Sequence, residues 1–207
     1  MFCVCYTRAM IATKPKTLTV AEYENLERKS GIKHEFVDGQ LRAMAGETRL
    51  HKRIAGNIYR LLFDLGAARG CEVMLEAKIR TRNTRFRYPD VVVSCAPGDD
   101  EYFLENPCLL VEVLSSSTAN TDTSEKLDEY LKLPSLQRYV LVDQTTRRVI
   151  VYARTPQGWM VEVLDSQGQF DVPCLETSLT LEQVYAGINF APVTASTDTG
   201  STETDSE

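Results

Sequence analysis

A glutamate interrupts the most apolar stretch of this 207-residue chain. Glu112 lies in CLLVEVLS (108–115), where Leu110 and Leu114 would share its face if the segment is a β-strand. A carboxylate among apolar neighbours is costly to bury unless it pairs with a cation or binds a metal ion. The alternative is a glutamate on the solvated face of a half-buried strand, but its apolar same-face neighbours favour a functional site.

A second acid occupies a comparable position upstream. Asp90 follows Tyr88 and Pro89 and opens a run of three valines. By itself, an aspartate after proline is a common turn or strand-start residue. Two acids at neighbouring apolar strands are a stronger pattern, because hard divalent cations prefer oxygen ligands and can activate water and stabilise a phosphoryl group. We therefore expect the carboxylates of Asp90 and Glu112 to lie roughly 4–7 Å apart and to share one ion.

Three further residues could join such a site. Lys126 falls in the first turn of a predicted helix, where a cation is mildly unfavourable, and a surface ion pair with Asp122 or Glu129 is the alternative. Glu35 lies in a predicted hairpin strand and could instead face solvent. His51 lies at the edge of a helical apolar stripe, where a histidine is more often a hydrogen-bonded core residue than a metal ligand.

The first half of the chain predicts two helices, a hairpin and a strand. Thr19 can cap a short helix, AEYENLERKS. HEFVDGQLRAM predicts a hairpin that turns at Asp38-Gly39, because both residues tolerate a positive φ. Apolar residues at helical spacing over 47–66 predict an amphipathic helix that Gly66 closes. CEVMLEAKIRTR (71–82) predicts a single strand.

The second half predicts mainly strands. The valine run after Pro89 and the segment 108–115 are apolar enough for buried strands. A helix should follow, with Asp122 as its cap and Glu125 completing a capping box, and it should end before Pro134. RYVLVDQ, RRVIVYAR and GWMVEVLD predict three more strands, and SLTLEQVYAG predicts a short closing helix.

A basic stretch directly precedes Asp90. This stretch is ten consecutive residues long and contains no acid. Its cations are Lys78, Arg80, Arg82, Arg85 and Arg87. A charged strand edge that blocks unwanted pairing is the ordinary explanation. Because the stretch adjoins the candidate site, it also predicts a rim that contacts phosphate groups. The net charge of −6 argues against a nonspecific polyanion binder.

Composition indicates a globular, non-membrane protein. Hydrophobic residues make up 43% of the chain and charged residues 25%, and the length fits one domain. No apolar run is long enough to span a bilayer, and the N-terminus lacks the pattern of a secretion signal. The six cysteines show no paired zinc spacing, so we expect reduced thiols in a reducing cytoplasm.

Three segments are expected along the chain. Residues 1–16 show no regular pattern, and residues 17–190 should form the folded domain. Residues 191–207 are rich in serine and threonine and carry four acids without a base, which predicts a disordered acidic tail.

Five segments together resemble the Uma-type restriction endonuclease family of the PD-(D/E)XK nuclease superfamily. They are LTVAEYENL, HEFVDGQL, RYPDVVV, LLVEVLSSSTANTDTSEKLDEY and YVLVDQTTRRVIVY. The likeness runs from about Thr17 to Ile188, nearly the whole predicted domain. The fourth segment is long and specific, whereas the Pro-Asp dipeptide alone would be a weak signal.

The resemblance implies a mixed α+β fold, in the broad α/β class, with a restriction-endonuclease-like core. A mixed central sheet of four to five strands would have helices on both sides. The implied reaction is hydrolysis of phosphodiester bonds in DNA, with Mg²⁺ or Mn²⁺ as cofactor. Asp90 and Glu112 match the acids that hold the ion, and Lys126 matches the residue that positions or activates the attacking water. Glu35 matches an acid that helps to bind the metal or its water, and His51 matches a histidine that orients a carboxylate.

The chain departs from the superfamily pattern at Leu114, where the usual lysine would stand two residues after Glu112. In this family the lysine is relocated to the following helix, at Lys126. Gln40 and Ser116 also stand where relatives often carry glutamate and proline. Two alternatives therefore stay open: an inactive nucleic-acid-binding or assembly module on a nuclease fold, and a small-molecule phosphohydrolase. We also expect a homodimer, because enzymes that cut both strands of a duplex commonly pair two sites.

Overall fold

The computed structural model describes residues 17–44, 46–115 and 124–190, so the segments 1–16 and 191–207 lie outside the described residues. The elements, in chain order, are α1 (Val20–Glu27), β1 (His34–Val37), β2 (Gln40–Ala43), α2 (Arg49–Ala68), β3 (Glu72–Leu75), β4 (Ile79–Arg82), β5 (Arg85–Arg87), β6 (Val91–Ser94), β7 (Pro107–Leu114), α3 (Glu125–Tyr130), β8 (Arg138–Asp143), β9 (Arg148–Thr155), β10 (Gly158–Asp165), β11 (Gln169–Val172), a 3-10 turn (Pro173–Leu175), β12 (Thr177–Thr180) and α4 (Leu181–Val184).

A six-stranded mixed sheet forms the centre of the fold. Its strand order is β10-β9-β8-β7-β6-β3, in which β7 and β8 are parallel and all other neighbours are antiparallel. All of β6 and all but the last residue of β7 are buried, which explains their apolar and β-branched composition. The predicted mixed α+β architecture is confirmed, although the sheet is wider than expected.

Helices cover both faces of this sheet. On one face α2 buries Ile54, Ile58 and Leu62 completely, and α4 and the β11–β12 hairpin complete this part of the core. On the other face Tyr130 of α3 packs edge-on against Tyr139 of β8, with ring centroids 5.0 Å apart. Burial of one such apolar side chain contributes about 1.5–3 kcal/mol, so these contacts fix both helices. Within the described residues, no helix combines the length and apolarity needed to cross a membrane.

A second sheet contains four strands in the order β2-β1-β5-β4. Its small core is aromatic: Tyr23 of α1 stacks on Phe36 of β1 at a centroid distance of 4.7 Å, and Phe86 of β5 lies beside them. This core holds α1 against the sheet. The side chains at the alternate positions of β1 and β5 therefore point away from this core.

Two local predictions about backbone geometry are confirmed. Asp38 and Gly39 form the turn between β1 and β2, with φ values of 48° and 92°. Thr19 caps α1 and forms a capping box with Glu22. Both features depend only on residues close in sequence, which is why the sequence revealed them.

The segment predicted as one strand (71–82) is two strands in different sheets. β3 pairs with β6 in the six-stranded sheet, whereas β4 pairs with β5 in the four-stranded sheet. The chain turns between them at Glu76, which has a φ of 47° and donates its backbone N–H to the Asp90 carbonyl. Because the turn contains neither glycine nor proline, its composition gave no signal. β11 and β12 were also not predicted, and β12 takes up part of the expected closing helix.

Four cysteines distant in sequence form two disulfides. Cys71 is joined to Cys95, and Cys108 is joined to Cys174. The expectation of six reduced thiols is therefore wrong for these four residues. Partners are separated by 24 and 66 residues, so no short spacing motif marks them. The remaining two cysteines lie outside the described residues.

Gly66 lies inside α2 rather than at its end, contrary to the prediction. The helix continues to Ala68, and Gly70, with a φ of 67°, follows its C-cap. A Cβ atom at position 66 would stand 2.5 Å from Val73 Cγ2 and 3.3 Å from the Cys71 carbonyl oxygen. The absence of a side chain at this position therefore lets α2 approach β3 closely.

We predict that Gly66→Ala destabilises the protein, although alanine normally favours a helix over glycine. The added methyl group would overlap Val73, and overpacking of this kind costs roughly 1–3 kcal/mol. Gly56→Ala is the matched control in the same helix, since nothing lies within 4 Å of a Cβ placed there. The control should gain roughly 0.5–1 kcal/mol. Urea denaturation measures both variants, and equal stabilisation by the two substitutions would contradict the close approach.

Candidate active site

Glu112 is buried in β7 and paired with groups from α3. Its side chain is 5% exposed, and its Oε1 atom accepts hydrogen bonds from Lys126 Nζ at 2.8 Å and Tyr130 Oη at 2.9 Å. Burial, followed by the negative charge of Glu112, raises the pKa of the Tyr130 hydroxyl, which keeps it a donor. The apolar strand tolerates this acid because α3 supplies a cation and a hydroxyl.

Lys126 connects Glu112 to Glu35. Its Nζ atom lies 3.2 Å from Glu35 Oε1, and Glu35 belongs to β1 of the second sheet. The two carboxylates offset the unfavourable position of a cation in the first turn of a helix. The superfamily usually has its lysine at the position of Leu114. In this chain Leu114 packs against the apolar residues on the α3 side of the sheet. The structure thus brings Glu35, Glu112 and Lys126 together.

The start of α3 differs from the prediction. The helix begins at Glu125, and its N-cap Ser124 makes no side-chain capping hydrogen bond, while Asp122 lies outside the described residues. Glu125 is therefore the first residue of the helix rather than the third residue of a capping box. Its carboxylate accepts from Arg42 Nη1 at 2.8 Å, and this contact is the main cause that lowers the Glu125 pKa. The Glu125 carboxylate, which the sequence pattern assigned to the helix cap, therefore pairs with Arg42, a residue distant in sequence.

Arg87 is fully buried and contacts three acids. Its guanidinium donates to Glu35 Oε2 and to Glu129 Oε1, each at 2.7 Å, and to Glu125 Oε2 at 3.4 Å. Burial alone would lower the Arg87 pKa, but the hydrogen bonds and charges of Glu129 and Glu35 raise it above its usual value. Burial likewise raises the Glu129 pKa, and Arg87 more than reverses this, so that the pKa lies below its usual value. Both groups therefore stay charged inside the protein.

The buried members of the basic stretch do not form the exposed rim that the sequence predicted. Arg87 is inside the ion network just described. Lys78 is 8% exposed, and its ammonium lies 5.6 Å from the ring centroid of Tyr23 and 5.7 Å from that of Phe86. Burial lowers the Lys78 pKa. Acids and rings from distant segments enclose these two residues, so their burial does not fit an exposed rim.

The other three members of the stretch lie nearer the surface. Arg82 Nη2 pairs with Asp128 at 2.7 Å, and Arg85 Nη1 pairs with Glu129 at 2.6 Å. Arg80 is exposed, and its guanidinium carbon lies 5.1 Å from the ring centroid of Phe103. Part of the positive charge that suggested a nucleic-acid surface is therefore neutralised within the protein.

Asp90, His51 and Glu47 form a second cluster at the start of β6. Asp90 Oδ2 accepts the backbone N–H of Val113 at 2.5 Å, and Asp90 Oδ1 lies 3.0 Å from His51 Nε2. Glu47 Oε1 lies 3.6 Å from the same nitrogen. Burial lowers the pKa of His51, but Asp90 and Glu47 outweigh it and raise the pKa above its ordinary value. An imidazole thus faces two carboxylates.

The two clusters adjoin through β7. Asp90 binds the backbone of Val113, the residue directly after Glu112, and the strand register pairs Val91 with Val111. Extending this register by one residue sets Asp90 beside Glu112. The two acids nevertheless use different partners, since Asp90 contacts α2 on one face of the sheet and Glu112 contacts α3 on the other. That both carboxylates hold the same ion stays a prediction.

The surroundings of His51 Nε2 indicate whether the second cluster can hold a metal ion. Among buried side-chain nitrogens and oxygens of the described residues, this atom alone has no hydrogen-bond partner, although Asp90 Oδ1 lies 3.0 Å away. One donor atom each from Glu47, His51 and Asp90 lie within 4.8 Å of one another. An unsatisfied buried polar group costs about 1–3 kcal/mol, and a cation between these donors would remove that cost. The donor set fits a divalent ion.

Sequence reasoning missed several residues of this region. Glu47 precedes His51 by four residues, a spacing that could have suggested a common site. Glu129 and Tyr130 follow Lys126 by three and four residues, which places them on the same side of a helix. The role of Arg87 had no local signal, because its partners Glu35 and Glu129 are 52 and 42 residues away.

Comparisons with known proteins point to one family. Residues 20–183 match the family model Uma2, described as "Putative restriction endonuclease". The uncharacterized protein slr1290 of Synechocystis sp. is 32% identical over 190 residues, covering 87% of this chain and all of that protein. The uncharacterized protein sll1609 of the same organism is 31% identical over 162 residues, covering 75% of this chain and 92% of that protein.

A solved structure shares the fold. It is a crystal structure from Anabaena variabilis, described as a "putative nuclease belonging to DUF820", with a TM-score of 0.62 and 20% sequence identity. The match covers 75% of this chain and 91% of that chain, and at this identity it bears on the fold alone. The restriction-endonuclease-like core expected from the five sequence segments is thereby confirmed. The family match and the two relatives show that this chain belongs to the Uma2 family of putative restriction endonucleases.

Proposed function

We propose that this chain is a DNA endonuclease that uses a divalent metal ion to hydrolyse phosphodiester bonds. The observation that carries the proposal is the meeting of Glu35, Glu112 and Lys126 from three separate elements, next to Asp90 and His51 along β7. Buried ion pairs contribute little net stability, because the desolvation of the charges offsets their attraction. A concentration of charge at the ends of apolar strands therefore favours a catalytic role.

Five residues are candidates to hold the ion. Asp90, Glu112 and Glu35 are the carboxylates expected from the sequence, and the geometry adds Glu47 and His51 around Asp90. Carboxylate oxygens suit Mg²⁺ or Mn²⁺, and an imidazole ligand favours Mn²⁺ over Mg²⁺. When bound, such an ion would lower the pKa of a water ligand and offset negative charge on the phosphoryl group.

The chain's own side chains have distinct tasks in this proposal. The Lys126 ammonium, held between Glu112 and Glu35, orients the attacking water or a phosphate oxygen. Tyr130 fixes the Glu112 carboxylate through its hydroxyl. Arg87 donates a hydrogen bond to the Glu35 carboxylate and holds it in place beside Lys126. His51 orients Asp90 or shares its ion.

DNA is the proposed substrate, and exposed cations near the site would contact its phosphates. Arg80 is exposed, and the Arg82–Asp128 pair has side chains that are 40% and 59% exposed. Surface ion pairs of this kind contribute at most about 1 kcal/mol, so Arg82 can exchange Asp128 for a phosphate group at small cost. In this proposal Arg80 and Arg82 contact the phosphates, whereas Lys78 and Arg87 are buried.

One observation favours the alternative of an inactive binding module. Glu112 already pairs with Lys126, and Glu35 pairs with both Lys126 and Arg87, so this half of the site is internally paired without an ion. An inactive module would bind duplex DNA with metal present but leave it intact. A small-molecule phosphohydrolase would release phosphate from nucleotides and leave polymers uncut.

Glu112→Gln should abolish metal-dependent DNA cleavage and leave the fold intact. Glutamine keeps an oxygen for Tyr130 and Lys126 but removes the negative charge, and loss of one such charge-stabilising group typically costs ~10²–10³-fold in rate. Nicking of plasmid DNA in Mn²⁺ measures activity, and thermal unfolding measures the fold. Glu162→Gln on the exposed β10 is the matched control and should cut normally. Undiminished cleavage by Glu112→Gln would remove the proposed role of this residue.

His51→Ala should weaken Mn²⁺ binding by ~10–100-fold, the usual effect of removing a ligand or its orienting partner. Binding is measured by calorimetry, independently of cleavage. The chain has two histidines, so His34→Ala is a natural control. His34 pairs with Glu27 at 3.1 Å, away from this cluster, and its loss should leave Mn²⁺ affinity unchanged. Equal effects of the two substitutions would show that the cluster at Asp90 is not the metal site.

A homodimer through the β9–β10 edge is part of the same proposal. β10 is the edge strand of the six-stranded sheet, and Val161 and Val163 are 54% and 48% exposed. They pair across the strands with Tyr152 and Ile150, which extends the apolar surface onto β9. An apolar edge with free backbone groups is suited to pair with a second copy, and two copies would place two sites on one duplex.

The double substitution Val161→Asp and Val163→Asp should convert a dimer into a monomer. Two charges on each copy would be buried at the interface without partners. Light scattering at concentrations well above micromolar measures the mass, and Glu162→Lys, whose side chain points to the other face, is the control. A monomeric unmodified protein under these conditions would overturn the proposed dimer.

A further inference from the structure

The four described cysteines converge at one end of the six-stranded sheet. Cys71 precedes β3, Cys95 follows β6, Cys108 is the second residue of β7 and Cys174 lies in the 3-10 turn. Asp90 and Glu112 occupy the opposite ends of β6 and β7, so the cysteines are separate from the candidate active site.

The two disulfides are neighbours. The Sγ atoms of Cys95, Cys108 and Cys174 all lie within 4.8 Å of one another, and Cys95 is bonded to Cys71. Two disulfides that act only to crosslink the chain have no need to share one location. Sulfur atoms this close place one disulfide within reach of a thiol released from the other.

The cysteines differ in their access to solvent. Cys71 and Cys108 are 7% and 5% exposed, and Cys174 is half-buried, whereas Cys95 is an exposed residue. Since thiol–disulfide exchange needs access of the attacking thiol to the sulfur, an external thiol would enter at Cys95. The Cys108–Cys174 pair lies behind it.

We propose that these cysteines form a thiol–disulfide exchange centre in which Cys95 passes electrons between external thiols and the Cys108–Cys174 pair. An external thiolate attacks Cys95 Sγ and releases Cys71 as a thiol; a second external thiol then releases Cys95 and leaves as a disulfide. Cys95 attacks one sulfur of the Cys108–Cys174 disulfide, and Cys71 then attacks Cys95 and frees the second sulfur. In total, two external thiols become one disulfide and the inner disulfide becomes two thiols, with transfer of two electrons and two protons.

The surroundings of the sulfur atoms favour exchange over a permanent metal site. Cys108 Sγ lies 3.3 Å from the Val93 carbonyl oxygen, and Cys71 Sγ lies 3.8 Å from that of Arg69. Carbonyl oxygens accept hydrogen bonds from thiols but repel thiolates. A four-cysteine zinc site needs all four ligands as thiolates at the same time, whereas exchange needs one thiolate at a time, first at Cys95 and then at Cys71.

The decisive variant is Cys71→Ser in a Cys3→Ser, Cys5→Ser background, which keeps the terminal cysteines from taking part. Without Cys71, the Cys95 thiol should attack the inner pair, and peptide mapping by mass spectrometry under non-reducing conditions should find Cys95 joined to Cys108 or Cys174. Cys95→Ser in the same background is the matched control and should retain only the Cys108–Cys174 pair. An unrearranged Cys108–Cys174 pair in Cys71→Ser would overturn the proposal.

A rate measurement tests the same centre without relying on the folding of Cys71→Ser. Reduced glutathione should reduce the Cys108–Cys174 pair at least about tenfold more slowly in Cys95→Ser than in the Cys3→Ser, Cys5→Ser parent, because the accessible entry point is lost. Equal rates would mean that the disulfides are independent crosslinks. Uptake of one Zn²⁺ per reduced chain that blocks oxidation by oxidised glutathione would assign the cysteines to a metal site and overturn exchange.

Discussion

The buried guanidinium of Arg87 is the interaction on which the arrangement of this protein depends. An unpaired charge at a fully buried position would cost several kcal/mol, so Arg87 requires both Glu35 from β1 and Glu129 from α3. These two contacts fix the second sheet and α3 relative to each other. Lys126 lies three residues before Glu129 on the same helix and is thereby carried to Glu112. The candidate catalytic lysine is in place because Arg87 positions the helix that carries it.

The six-stranded sheet lies between the cluster at Asp90 and the cluster at Glu112 and fixes the position of each relative to the other. α2 delivers His51 to Asp90 on one face, and α3 delivers Lys126 to Glu112 on the other. The link between them is short, because Asp90 binds the backbone N–H next to Glu112. β6 and β7 are buried over nearly their whole length, so the acids at their ends have little freedom to move. Rigid strands with charged ends suit a site that must hold an ion in a fixed geometry.

The electrostatics of the chain are dominated by internal pairing. An acid-free basic stretch suggested one positive rim on a chain whose net charge is −6. In the folded chain Arg87 pairs with acids in the interior, Arg85 pairs with both Asp38 and Glu129, and Lys78 is covered by aromatic rings. Within this stretch, only Arg80 and Arg82 are left exposed for a nucleic acid. An ion bound at the carboxylates would add positive charge that the buried members of this stretch do not offer, which is a physical reason to connect DNA recognition with metal binding.

The sequence by itself determined the features that arise from neighbouring residues. The turn at Asp38-Gly39, the capped start of α1, the buried strands around Asp90 and Glu112 and the family resemblance all follow from local backbone preferences, apolar patterning and short motifs. Tertiary structure alone decided which distant charges pair, that segment 71–82 divides between two sheets and which cysteines meet. The reason is that ion pairs and disulfides depend on distances between side chains from remote segments, and each isolated charged residue or cysteine looks the same in sequence whatever its eventual partner.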